Sequence, residues 1–177
     1  MKPSNPPIIL DRNESRVLNE VRPGDHLERF KGSKFELTRG TAVVIGRNTH
    51  NYREQYESQY PHIATIDIAD ASEGISRACI GLVAPENGNI LLTTMTKNND
   101  VFIIPGGLLS NISTSEKIVR VLPSQDRTLL PTDAVAIVSR NRPEESIILT
   151  PDSDRSLNAF DIKDATSVNI GALLQKQ

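Results

Sequence analysis

Three short polar clusters sit where one apolar run ends and the next begins. They are Gly46-Arg47, Ser76-Arg77-Ala78-Cys79 and Thr96-Lys97-Asn98-Asn99. Between them they offer a guanidinium fork, a hydroxyl, an ammonium and a carboxamide. A phosphate monoester carries about −1.5 to −2 charge and three strong acceptor oxygens, and this donor set suits it. The same clusters hold no nucleophile beside a base and no metal-ligand spacing. The chemistry they point to is the binding of a phosphorylated ligand.

Enzyme chemistry finds little support elsewhere. His26, His50 and His62 are scattered, and none stands in a spacing such as H-E-x-x-H. No motif places a histidine to act as base for Ser76. Gly106-Gly107 follows Pro105 and reads as a turn, not as a phosphate-cradling loop. No catalytic residue, metal ligand or cofactor is expected.

The bulk properties narrow the partners. Net charge is −2 over 177 residues, so no broad basic surface invites nucleic acid or anionic lipid. An anion site must instead be local, made by a few converging cations. Cys79 is the single cysteine, so no intramolecular disulfide can form. No apolar run approaches the roughly 20 residues of a membrane-spanning helix. The opening Met-Lys-Pro-Ser-Asn-Pro-Pro does not resemble a secretory signal peptide. The expected setting is cytoplasmic, with delivery as a secreted effector left open.

The elements that must position these clusters read as short strands. Three prolines in the first ten residues suggest an extended start, with Ile8, Ile9 and Leu10 as an edge strand. Residues 12–21 suit a short helix closed by Pro23-Gly24-Asp25. From Lys34 the pattern turns β, with strands expected near 35–38, 41–45, 63–68, 78–83, 89–94, 101–104, 118–122, 134–139 and 146–150. Such strands, punctuated by Gly, Pro, Asn and Asp, predict an all-β antiparallel sandwich with short helical insertions. The close spacing leaves little room for the crossovers of a parallel sheet. Residues 48–62 carry Tyr52, Tyr56 and Tyr60 at four-residue spacing. They read as a surface loop with a helical turn, or alternatively as a recognition loop with rigid aromatic contacts. The division expected is an N-terminal extension over 1–27, the β domain over 28–150 and a polar tail over 151–177, within which Ala172-Leu173-Leu174 could dock.

Taken in order, the clusters resemble the forkhead-associated (FHA) domain family. Its pattern is Gly-Arg after a strand, Ser-x-x-His in a later loop, an Asn-Gly turn, and a closing Leu-x-x-Gly-Asp. Ile45-Gly46-Arg47 is similar to the first element. Ser76-Arg77-Ala78-Cys79 is similar to the second, with Cys79 in the histidine position. Thr96-Lys97-Asn98-Asn99 is similar to the third, with Asn99 in the glycine position. Leu130-Pro131-Thr132-Asp133 looks like a worn form of the last. The likeness covers about residues 30–140, most of the β-rich region. It implies an eleven-stranded sandwich of the FHA/SMAD type whose loops at one end bind a threonine-phosphorylated protein or peptide in signalling. Under it, Arg47 grips the phosphate with parallel N–H donors, Ser76 donates its hydroxyl, and Arg77 and Lys97 add positive charge. Asn98 holds the ligand backbone.

Each of these residues also has an ordinary reading: surface charge for Arg47, Arg77 and Lys97, turn capping for Ser76, a turn asparagine for Asn98. Asparagine tolerates positive φ best after glycine, so Asn99 is expected to sustain the turn. A thiol donates weakly, so Cys79 reads as core filler and leaves the frame around Ser76 looser. Asp67, Asp70 and Glu73 lie just upstream and would repel a phosphate if they faced it. The alternatives are a scaffold of the same fold with a decayed phosphate site, binding a partner or itself through another face, and a small β-sandwich hydrolase with a deep titratable pocket.

Overall fold

The computed structural model describes residues 20–49, 62–107, 118–152 and 158–165, together with Leu173. The expected Ile8–Leu10 strand, most of the 12–21 helix and the Tyr52, Tyr56 and Tyr60 segment lie outside the described residues.

Among the described residues the chain is all-β, with thirteen strands in two sheets and two short 3₁₀ turns, Pro105–Gly107 and Pro143–Glu145. The strands are β1 (Glu20–Val21), β2 (His26–Arg29), β3 (Lys34–Leu37), β4 (Thr41–Gly46), β5 (Ala64–Ile68), β6 (Ile80–Ala84) and β7 (Ile90–Thr94). They continue with β8 (Asn99–Ile104), β9 (Val119–Val121), β10 (Asp126–Leu129), β11 (Ala134–Ser139), β12 (Ile147–Pro151) and β13 (Ala159–Asp164). One sheet runs β1-β3-β13-β12-β11-β8-β9 and the other β10-β7-β6-β4-β5-β2.

The two sheets share one apolar core. Phe35, Leu37, Val101, Ile137, Leu149 and Ile162 of the first sheet cluster with Ile45, Ile66, Ile80, Leu82 and Leu92 of the second. Their period-two alternation along each strand is what gives each sheet an inward face. Phe35 and Phe160 stack at 5.4 Å between ring centroids. β8 and β11 are buried along their whole lengths. Their other face packs in a second cluster with Ile148, Ala165 and Leu173, which accounts for their unbroken apolar runs.

Three expectations change. The sheets are mixed and not purely antiparallel, because β4 and β2 both pair with β5 in parallel, and β1 pairs with β3 in parallel. The seventeen-residue connection from Gly46 to Ala64 supplies the crossover that a parallel β4–β5 pair needs. Within the stretch read as a polar tail, Ala159–Asp164 is a strand held between β3 and β12. Lys34 secures that join through ion pairs to Asp152 at 3.0 Å and Asp161 at 3.3 Å. Glu20–Val21, expected to close a helix, is strand β1. No helix among the described residues is long and apolar enough to cross a membrane.

Candidate functional site

The site is built at one end of β4, β6, β7, β8 and β11, where their connecting loops meet. Three backbone hydrogen bonds lash the 76–79 loop to the end of β4: Arg47 N–H to Ser76 O at 3.0 Å, Asn48 N–H to Arg77 O at 3.1 Å, and Cys79 N–H to Ile45 O at 2.9 Å. Glycine at position 46 is what allows this approach. A Cβ there would stand 2.0 Å from Arg77 O and 2.8 Å from Ala78 Cα, contacts that backbone atoms cannot relieve. The Gly-Arg dipeptide is thus a packing requirement as well as a source of charge.

Asn99 completes the frame. It is the first residue of β8 and lies opposite Ser139 of β11. Its Oδ1 accepts the Ser76 N–H at 2.9 Å and the Cys79 thiol at 3.5 Å. Its Nδ2 donates to Gly74 O at 2.8 Å and Val138 O at 3.3 Å. The expectation of a left-handed turn at Asn99 is therefore corrected. Ser124 is the one non-glycine residue with positive φ among those described, and Asn99 works through its buried side chain. Cys79 belongs to the apolar core, as expected of filler. Its thiol donates to Ser76 O at 3.3 Å, and burial pushes it up to about 12, so it stays a neutral thiol. The looseness anticipated from the missing histidine is answered by Asn99, whose carboxamide ties Gly74 and Ser76 of the loop to Val138 of β11.

On this frame Arg47, Ser76, Arg77 and Asn98 line a single hollow of about 650 Å³. Arg47 Nε donates to Ile75 O at 2.8 Å, which fixes the guanidinium by its inner edge. Neither Arg47 nor Arg77 forms an ion pair among the described residues. Ser76 Oγ and Thr96 Oγ1 lie 2.8 Å apart and share a hydrogen. Thr96 Oγ1 also accepts the Asn98 N–H at 3.0 Å, so hydroxyl and amide positions are coupled.

Lys97 is not brought to this hollow. It borders a neighbouring cleft with Asp100, Arg120 and Arg140. The acidic residues divide. Asp67 Oδ1 accepts the Thr49 N–H and hydroxyl at 2.7 and 2.5 Å, and Asp70 accepts the Lys31 N–H at 3.0 Å. Neither lines the hollow, whereas Glu73 does. The worn closing element has a local job: Asp133 carboxylate oxygens accept the N–H groups of Leu130 at 2.9 Å and Gly106 at 3.4 Å, holding the turn into β11.

Sequence reasoning missed part of the wall. Arg140 and Arg142, on the loop after β11, also line the hollow, as does Ser139. Their signal was visible: Ser139-Arg140-Asn141-Arg142 is a fourth polar cluster at a strand boundary. The hollow thus gathers four arginines against Glu73 on a chain whose net charge is −2. Glu145 shapes this side by accepting the Gly74 N–H at 2.7 Å and pairing with Arg142 at 3.4 Å.

Among the described residues, no group of three or more His, Cys, Asp or Glu side chains could hold a metal ion. His26 is engaged elsewhere, with Thr65 Oγ1 and with Asp67 at 3.8 Å. What the arrangement can do chemically is enclose an anion with guanidinium, hydroxyl and amide donors. No family model matches this sequence, and no curated protein or solved structure matches it.

Proposed function

We propose that this chain is a phosphothreonine-dependent peptide-binding module on a β-sandwich of the forkhead-associated type, and not a catalyst. The observation that carries the reading is the meeting of Arg47, Ser76, Arg77 and Asn98 in one hollow, although they come from three loops well separated along the chain. The hollow exceeds a lone phosphate and leaves room for flanking peptide. In this reading the outer nitrogens of Arg47 take two phosphate oxygens, with Nε retained on Ile75 O. Ser76 turns its hydroxyl hydrogen from Thr96 to the third oxygen. Arg77 and Arg142 add charge from either side, and the Asn98 carboxamide holds the peptide backbone. Charge-assisted hydrogen bonds contribute on the order of 1.5–3 kcal/mol each, so such a set can discriminate phosphothreonine from threonine.

Titration with phosphorylated and unphosphorylated peptide libraries tests it. The phosphothreonine set binds and the threonine set does not, and Arg47→Ala removes most of that difference. Equal binding of both sets, or no loss on Arg47→Ala, rejects the function.

A second reading has its own support. Glu73 on the hollow wall opposes a dianion, and Cys79 replaces the histidine of the resembled motif. Both suit a scaffold of the same fold that binds a partner without phosphate. The same titration separates the two.

A further inference from the structure

Met95 lines the hollow, and nothing in the binding of a phosphate uses it. It follows directly on β7, and its N–H donates to Cys79 O at 2.8 Å. Its side chain lies over Gly81 of β6, where an added Cβ would stand 3.5 Å from Met95 Sδ. The bare backbone at Gly81 lets the thioether settle against the sheet at the edge of the hollow. Met95 stays partly exposed there, on a wall that also carries Arg47, Arg77, Arg140 and Arg142.

The other sulfurs are placed differently. The chain has one cysteine and two methionines. Cys79 is fully buried, with its thiol on Ser76 O. Met1 lies outside the described residues. A thioether needs no ionisation to be oxidised, so exposure governs its attack. Among the described residues, Met95 is therefore the sulfur that a small oxidant meets.

Oxidation would change the chemistry of the wall. The sulfur lone pair attacks one oxygen of hydrogen peroxide. The sulfur–oxygen bond forms as the O–O bond breaks, and the second oxygen leaves with both protons as water. Sulfur is oxidised by two electrons and the peroxide is reduced by two. The product, methionine sulfoxide, sets a polar oxygen where the thioether was only a weak acceptor. A guanidinium facing that oxygen gains a neutral acceptor, and the same donors are the ones a phosphate needs. The added oxygen also takes space in the hollow.

We infer that Met95 is an oxidation site whose sulfoxide weakens the hold of the hollow on phosphothreonine, and that reduction restores it. The effect on binding rests on the phosphothreonine reading above, whereas the site of oxidation does not.

Treatment of the full chain with hydrogen peroxide tests the inference. The product is divided between peptide mass analysis and fluorescence anisotropy with a phosphothreonine peptide and its threonine counterpart. One added oxygen is expected at Met95 with Cys79 unmodified. Affinity for the phosphothreonine peptide should fall about tenfold and recover after methionine sulfoxide reductases for both epimers act with a dithiol reductant. Saturating phosphothreonine peptide should shield Met95 from the peroxide, and the threonine peptide should not. Met95→Leu, a swap of similar volume, should bind alike before and after treatment. A chain that takes up no oxygen at Met95 when Met1 is fully oxidised overturns the site. An oxidised chain that binds as before, or a peroxide response that survives Met95→Leu, overturns its role. Loss of binding together with the circular dichroism of the sheets overturns it as well, since that is damage and not control. If the untreated chain binds both peptides equally, the proposed function falls and the effect on binding with it, while the mass analysis still decides the oxidation site.

Discussion

Asn99 Oδ1 accepts the backbone N–H of Ser76 at 2.9 Å, joining the start of β8 to the loop that carries the hydroxyl of the candidate site. Through the same carboxamide Asn99 also holds Gly74 and Val138. One buried side chain therefore sets the height of the 74–76 loop against the end of β11, and with it the place of Ser76 beside Arg47.

Removing that carboxamide should cost stability and binding together. Asn99→Ala leaves the Ser76 N–H and the Gly74 and Val138 carbonyls without their partner, and an unsatisfied buried polar group costs about 1–3 kcal/mol. The expected loss is on the order of 3 kcal/mol, read as a lower urea midpoint at unchanged slope. Phosphopeptide affinity should fall as well, although Asn99 does not line the hollow. A variant with wild-type midpoint would show that the brace is dispensable.

Gly46→Ala tests the close approach of the 76–78 loop to β4. The added methyl would meet Arg77 O and Ala78 Cα, both backbone. Overpacking of this kind costs about 1–3 kcal/mol. The loop must move outward, carrying Arg77 away from Arg47, so binding should be lost under conditions where the circular dichroism of the sheets is retained. Unimpaired binding would contradict the geometry.

Cys79 gives a pH signature. Its thiol is held up to about 12 from an ordinary 9.0, chiefly by burial. The folded state therefore keeps a proton that the unfolded chain gives up. Stability from this group is complete below about pH 9 and declines as pH rises toward 12, by up to about 1.4 kcal/mol per pH unit. Cys79→Ala should flatten that part of the curve relative to wild type in chemical denaturation at pH 8 to 11. At pH 8 the native thiol should resist alkylation and react only once urea unfolds the chain. Parallel curves for the two proteins would place the thiol in contact with solvent.

Glu73 is the carboxylate on the hollow wall. Glu73→Gln removes a like charge beside the bound dianion, a repulsion of about 1 kcal/mol across a few ångströms of water. Phosphopeptide affinity should rise by roughly threefold to tenfold, with little change in melting temperature. Weaker binding would mean that Glu73 holds the ligand and does not oppose it.

Nine of the strands were legible because runs such as Thr41–Ile45 and Ala134–Ser139 pair β-branched residues with flanking turn formers. β13 was not. Ala159–Asp164 alternates apolar and polar residues, but it lies in a polar stretch and its partners, β3 and β12, are fixed only by long-range register. β2 hid because His26–Arg29 is short and only partly buried. Parallel pairing of β4 with β5 runs against the close spacing of most strands, and only the long 47–63 connection leaves room for it.

At the site, residue types announced Arg47, Ser76, Arg77 and Asn98, since each stands in a polar cluster between one strand and the next. Arg140 and Arg142 stand in the same way after β11 and were passed over for want of a matching motif. Asn99 could not be read at all. Its role depends on the pairing of Asn99 with Ser139 across β8 and β11, which turns its side chain beneath the 74–76 loop. Lys97 shows the reverse: its type fitted a phosphate, but its neighbour Asn98 takes the hollow and Lys97 the cleft beyond Arg140.

In the proposed function one phosphothreonine is enclosed by the loops brought together at this end of the sandwich. A nuclear magnetic resonance titration of the labelled full chain with a phosphothreonine peptide and its threonine counterpart tests it most directly. The predicted result is that only the phosphorylated peptide shifts the amides of Gly46–Asn48, Gly74–Ala78, Thr96–Asn98 and Ser139–Arg142, together with the Arg47 side-chain Nε–H. Identical shifts with both peptides, or shifts confined to another face of the sheets, would contradict it.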